Sequence, residues 1–192
     1  MPEPQERDWS LDEFLAWEVA QPERHEFIDG QPCLMTGGTQ AHTAICVNIV
    51  ALLRDRLRRT PCRPGGSDLR IPIPGTGQSR YPDALIDCGR FDPNANDATE
   101  PTVVFEVLSK SNDLRDQYGR LRDYDTVPTI RHYVVVAQAE AVVVVYDRDD
   151  AGRLAPGSMM TAPAAELVLS AIGISLPLAQ IYEGLGLLPD TI

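Results

Sequence analysis

Apolar residues recur along this chain with two periods, and the switch between them lays out its elements. Leu11, Phe14, Leu15 and Val19 share a helical face behind Ser10-Leu11-Asp12-Glu13, whose spacing is that of a capping box, so a short helix is predicted from Ser10 to about Ala20. His25 to Ile28 and Gln31 to Met35 flank Asp29-Gly30, a dipeptide suited to a tight hairpin. From about Gln40 to Arg59, Ile45, Ile49, Leu52, Leu53 and Leu57 return at helical spacing and predict the main amphipathic helix, which Pro61, Pro64, Gly65 and Gly66 end.

Strand-like runs follow near Asp68 to Ile73, Tyr81 to Cys88, Pro101 to Leu108, His132 to Ala137 and Ala141 to Tyr146. A second helix fits between the third and fourth of them, from about Asp113 to Tyr124, before Val127-Pro128 breaks it. Asp92 to Glu100 is rich in Asn, Asp and Pro and reads as a loop. Beyond Asp147 the pattern thins to short strand-like pieces around Arg153 to Met160 and Glu166 to Leu169 and a last turn near Pro177 to Tyr182. The order is helix, hairpin, helix, three strands, helix, two strands, which predicts an α/β (α+β) protein. We expect one domain over residues 1–192, with a core at about 10–147 and a C-terminal extension at about 148–192.

Two of these runs carry an acid where the pattern is otherwise apolar: Asp83 behind Tyr81-Pro82, and Glu106 within Thr102 to Leu108. An unpaired ionised carboxylate in an apolar setting costs several kcal/mol or takes up a proton. Such residues therefore bind a metal, meet a base, or line a cleft, and a buried salt bridge is the ordinary alternative for either one alone.

Composition narrows the partners. A hydrophobic content of 43% with 23% charged residues is that of a soluble globular protein, and no apolar run is long enough to span a bilayer. Met1 to Asp8 is polar with no signal-peptide core, so a cytoplasmic location is expected. Cys33, Cys46, Cys62 and Cys88 form no C-x-x-C pair, which predicts reduced, structural cysteines and neither a zinc site nor a disulfide framework. A net charge of -11 argues against a simple basic DNA-binding module, because contact with a polyanion then needs a local positive patch or a bridging cation. Arg54, Arg56, Arg58, Arg59 and Arg63 cluster at the end of the long helix, although cations there also favour the negative end of the helix dipole. Aromatic residues are sparse at 6%, which disfavours a stacking platform for single strands.

Several motifs fall in one order along the chain: Glu26-Phe27-Ile28-Asp29-Gly30, Thr39 to His42, Tyr81-Pro82-Asp83, Glu106-Val107-Leu108-Ser109, the register Asp116/Arg120/Tyr124, and Tyr133 to Val136. Together they resemble the Uma-two branch of the PD-(D/E)XK restriction-endonuclease superfamily, over roughly residues 10–147. The resemblance implies a restriction-endonuclease-like fold, a mixed central sheet flanked by helices, and phosphodiester hydrolysis, with DNA as the expected partner. It implies Asp83 and Glu106 as ligands of Mg²⁺ or Mn²⁺, joined by the backbone carbonyl of Val107. Such an ion lowers the pKa of a bound water and neutralises charge at phosphorus.

The chain departs from the motif at its lysine. Strand side chains alternate, so the lysine of E-x-K would share a face with Glu106, yet that position is Leu108. The family commonly moves the lysine to the following helix, where this chain has Arg120; arginine can clamp a phosphate but cannot serve as a base at neutral pH. Asp116 and Arg120 are also spaced as a simple i,i+4 surface pair. Lys110, the only lysine, stands just past the strand end as a second candidate. The first core helix offers no acid near its start, so Glu26 on the hairpin is the candidate replacement. His42 could orient water, bind phosphate, or cap its helix. Two other readings remain open: a scaffold of the same fold that has lost cleavage, and a hydrolase of small phosphorylated molecules. Short apolar pieces such as Leu185 to Leu188 suggest a surface that a second copy would cover, so a homodimer is expected.

Overall fold

The computed structural model describes residues 9–108 and 114–188. In chain order the elements are α1 (Leu11–Glu18), β1 (His25–Ile28), β2 (Gln31–Leu34), α2 (Gln40–Arg56), β3 (Arg63–Gly66), β4 (Ile71–Ile73), β5 (Gln78–Arg80), β6 (Ala84–Asp87), β7 (Pro101–Leu108), α3 (Leu114–Asp125), β8 (His132–Ala137), β9 (Val143–Arg148), β10 (Leu154–Met160), β11 (Glu166–Leu169), β12 (Ile174–Pro177) and α4 (Leu178–Ile181).

The central sheet has six strands in the order β10-β9-β8-β7-β6-β3. Only β7 and β8 run parallel, with Glu106 opposite Val135, and α3 makes the crossover between them. The other neighbours are antiparallel, so the sheet is mixed, as expected. A second, antiparallel sheet in the order β2-β1-β5-β4 carries the hairpin. Its turn puts Asp29 at φ 48° and Gly30 at φ 80°, the left-handed pair that a two-residue hairpin turn needs.

Alternation along β7 sends side chains to opposite faces of the central sheet. Val103, Phe105 and Val107 join Ile45, Ile49 and Leu53 of α2 and Leu57 at its C-terminal cap, and Leu167, Leu169, Leu176, Leu178, Ile181 and Tyr182 complete that core. Val104 faces the other way, with Leu85, Tyr124, Ile130 and Tyr133, and Glu106 shares its face. Leu108 packs with this second cluster, so the residue in the lysine position of the motif serves as core filling.

The C-terminal extension thus covers the α2 face. Tyr182 donates its hydroxyl to Ala137 O and Val142 O, and Asn48 of α2 donates to Ile181 O and Glu183 O. Leu185, Leu187 and Leu188 pack against the same core, so they no longer argue for a second copy.

Both ends of α1 are held. The Ser10 and Glu13 capping box forms as predicted, with Glu13 N–H donating to Ser10 Oγ and Ser10 N–H to Glu13 Oε2. At the other end of α1, the buried Glu18 accepts from Tyr81 Oη at 2.9 Å and from Arg70 Nη1 at 2.9 Å, which pins the segment leading to Asp83. Thr39 caps α2 by accepting from His42 N–H, and its own hydroxyl donates to Gln138 Oε1 after β8.

Three expectations need correction. Cys62 and Cys88 form a disulfide, and only Cys33 and Cys46 are free. Antiparallel pairing of β3 and β6 sets Arg63 opposite Asp87, which makes Cys62 and Cys88 cross-strand neighbours despite a separation of 26 residues. The strand expected from Tyr81 begins only at Ala84, so Asp83 sits in the bend before β6. Finally, β3, β5 and β12 are strands that the apolar pattern does not mark.

Candidate active site

The approach to the site starts from a buried arginine. Arg80, at the end of β5, donates from Nε and Nη2 to Asp123 Oδ2 of α3, at 3.0 and 2.8 Å, and from Nη1 to Glu26 Oε2 of β1 at 3.3 Å. The next residue, Tyr81, donates its N–H to Glu26 Oε1. Glu26 therefore ties β1 to the end of β5 and to the segment that leads into Asp83.

Arg120 of α3 completes the link to the central sheet. Its Nη1 and Nη2 grip Glu26 Oε1 and Oε2 as a two-pronged pair, both at 3.2 Å, while Nη1 also donates to Glu106 Oε1 at 2.9 Å. Its Nε holds Asp116 Oδ2 at 3.2 Å, so the expected i,i+4 pair is present alongside the contacts facing the site. Surrounded by carboxylates, the guanidinium keeps its proton more firmly still than a free arginine, against the opposing effect of burial.

Glu106 is 5% exposed and accepts a second hydrogen bond on the same oxygen, from Tyr124 Oη at 2.7 Å. Among the described residues both of its hydrogen bonds fall on Oε1. Burial pushes its carboxyl up to about 7, and Arg120 opposes that rise only in part.

Asp83 faces two ways. Its Oδ2 accepts from Val107 N–H at 2.7 Å, and its Oδ1 lies 3.2 Å from His42 Nε2. A strand residue sends its N–H and C=O to the same edge, so the Val107 carbonyl also leaves on the Asp83 side. The hydrogen bond to Asp83, helped by one to Cys46, raises the His42 imidazole to about 10, which makes it a cation at neutral pH. Gly38 allows this packing, since a Cβ there would come within 2.7 Å of His42 Nδ1.

Asp83, Glu106, Val107, Arg120, Glu26 and His42 all line one cleft of about 1020 Å³. These six expected residues thus share one cleft. Arg80, Tyr124, Asp123 and Cys46 also reach it or support it, and the sequence reading did not assign them. The signal for three of them was spacing: Tyr124 and Asp123 follow Arg120 by four and three positions on α3, and Cys46 follows His42 by four on α2. Lys110 lies outside the described residues. The arginine cluster is partly committed elsewhere, with Arg56 donating to Ser175 O, Arg58 to Asp55 Oδ1, and Arg63 to Gly89 O.

Carboxylates outnumber cations on this surface: Glu26, Asp83, Glu106 and Asp116 face Arg120 and His42. A phosphodiester entering the cleft needs further positive charge. The oxygen donors of Asp83, Glu106 and Val107 suit Mg²⁺ or Mn²⁺, and the desolvated Glu106 carboxylate gains most from a cation, so these residues fit the group.

Comparison with known proteins places the chain in a wider set. The profile of the Uma2 family, described as "Putative restriction endonuclease", matches residues 11–179. An uncharacterized protein of Synechocystis sp., slr1290, is 34% identical over 178 residues, covering 92% of each chain. A second one from that organism, sll1609, is 28% identical over 129 residues, which is 66% of this chain and 73% of the relative. The fold matches the crystal structure of "a putative nuclease belonging to DUF820" from Anabaena variabilis, with a TM-score of 0.73 at 19% identity over 91% of this chain and 97% of that one. The restriction-endonuclease-like fold follows from that match.

Proposed function

The chain belongs to the Uma2 family, and on that footing we propose that it is a metal-dependent endonuclease hydrolysing phosphodiester bonds, with DNA as its substrate. The observation that carries this reading is the meeting of Asp83, Glu106, Glu26, Arg120 and His42, drawn from different elements, on one cleft. Asp83, Glu106 and the Val107 carbonyl would hold Mg²⁺ or Mn²⁺. When bound, the ion supplies a more acidic water and neutralises charge at phosphorus.

The protein's own groups divide the remaining work. Arg120 holds Glu106 and Glu26 in place by charge-assisted hydrogen bonds and adds positive charge beside the substrate, but it exchanges no proton. His42, protonated and held by Asp83 through Nε2, adds positive charge beside a phosphate in the cleft. Glu106, whose carboxyl lies near 7 without metal, must give up its proton to hold the ion, so metal binding should tighten as pH rises through that value.

One observation favours a second reading, a scaffold of this fold without cleavage: Arg120 already donates to three carboxylates. Incubation of the purified chain with supercoiled plasmid, single-stranded DNA, RNA and a small chromogenic phosphodiester, in Mn²⁺, Mg²⁺ or EDTA, separates the readings. Metal-dependent cutting of DNA supports the proposal, turnover of the small ester alone favours a small-molecule hydrolase, and no turnover favours the scaffold. The proposal covers one domain, and light scattering at micromolar concentration gives the number of copies in which it acts.

A further inference from the structure

Cys46 has no part in the chemistry above, yet it stands beside two residues that do. It follows His42 by about one helical turn on α2, and its Sγ lies 3.6 Å from His42 Nδ1, while His42 Nε2 lies 3.2 Å from Asp83 Oδ1. Among the described residues, these three form the cluster of His, Cys and carboxylate whose ligand atoms, one from each, lie within 4.8 Å of one another. All three are half-buried and line a groove of about 800 Å³ with Val47, Val50, Ala51 and Arg54 of α2.

We propose that His42, Cys46 and Asp83 bind one divalent ion of the zinc class, with a fourth coordination position open to this groove. The donor chemistry selects the ion. A thiolate and an imidazole are poor ligands for Mg²⁺ or Ca²⁺, which take oxygen, whereas zinc accepts sulfur, nitrogen and oxygen together. Tetrahedral zinc with these donors sets its ligand atoms about 3.3–3.6 Å apart, from bonds of about 2.0–2.3 Å. The Sγ to Nδ1 and Nε2 to Oδ1 separations already match that spacing. Binding releases the His42 ring proton and the Cys46 thiol proton to solvent, and because an ion uses one imidazole nitrogen it draws in either the sulfur or the carboxylate by roughly an ångström, through side-chain rotation. Two ligands four residues apart on one helix face meet a third from the bend before β6, so the fold already gathers the three side chains.

Asp83 makes this site separate from the oxygen-donor site while touching it. Its Oδ1 faces His42 and its Oδ2 faces β7. The zinc-class site stands whether or not the chain cleaves nucleic acid, and its test reads no activity.

The test is a cobalt titration of the full chain under anaerobic conditions with the Cys62–Cys88 disulfide intact. The expected result is one Co²⁺ per chain, with a sulfur-to-cobalt charge-transfer band in the near ultraviolet and the visible bands of a four-coordinate ion, both displaced by Zn²⁺. The charge-transfer band should vanish in Cys46→Ser, persist in Cys33→Ser and in Glu106→Gln, and need more than about tenfold more Co²⁺ in His42→Ala. Circular dichroism of each variant keeps misfolding from passing as lost binding, and Cys46→Ala replaces Cys46→Ser if the latter fails to fold. No band in the wild-type chain, a band that survives loss of Cys46, or one lost with Cys33 would overturn the proposal.

Discussion

Arg120 donates from one guanidinium nitrogen to both Glu106 and Glu26, so a single cation on α3 joins the central sheet to the hairpin sheet. Removing it leaves two buried carboxylates without their shared partner. Arg120→Ala should cost about 3–5 kcal/mol, the usual penalty for breaking a buried pair from one side. Arg120→Lys should lose less, since it keeps the charge but not the fork. Urea unfolding of the two variants beside the wild type checks this, and a Lys variant no more stable than the Ala variant would show that the charge contributes nothing without the fork.

Glu106 gives a pH signature. Its folded carboxyl near 7 lies above the usual 4.5, so its contribution to stability is fully present below about 4.5 and is lost as pH rises through 7. Glu106→Gln removes that dependence. The variant should gain on the wild type between pH 5 and 8 in denaturant unfolding, even as it loses any cleavage. A stability difference that is flat over this window would remove the buried, desolvated carboxylate from the account.

His42 shows the same sign at higher pH. Its imidazole, raised to about 10 chiefly by Asp83, contributes stability that is complete below about 6.5 and lost as pH rises through 10. In metal-free protein its ring signals in NMR should stay those of an imidazolium from pH 6 to 8. Asp83→Asn should bring the titration down toward the ordinary histidine range.

Much of this site was legible because its residues break a pattern. Asp83 and Glu106 interrupt apolar runs, and alternation along β7 correctly puts Leu108 on the face of Glu106. The long α2, the hairpin and the β7, α3 and β8 crossover follow from periodicity and turn residues. What the pattern hides is made by tertiary context. Arg63-Pro64-Gly65-Gly66 has the composition of a helix stop, yet it pairs with β6 as an edge strand, where proline and glycine are tolerated. Gln78-Ser79-Arg80 is polar but wholly buried, because Arg80 and Gln78 find partners in Asp123, Glu26 and Asp29. The disulfide depends on that unmarked β3 strand, which is why spacing alone pointed to reduced cysteines.

That disulfide carries its own prediction. A thiol assay of the native, unreduced chain should find two reactive groups on full denaturation, Cys33 and Cys46. Replacing both Cys62 and Cys88 by serine should cost about 2–4 kcal/mol, since it frees a loop of the unfolded chain. Four titratable thiols in the denatured, unreduced protein would contradict the pairing.

The central claim, that the Asp83 and Glu106 cleft cuts phosphodiesters, is tested most directly by supercoiled-plasmid nicking in Mn²⁺ with wild-type, Asp83→Asn and Glu106→Gln proteins purified side by side. The account predicts metal-dependent nicking by the wild type, abolished by EDTA and lost in both folded variants. Nicking that persists in both variants, or that is absent from the wild type, would contradict it.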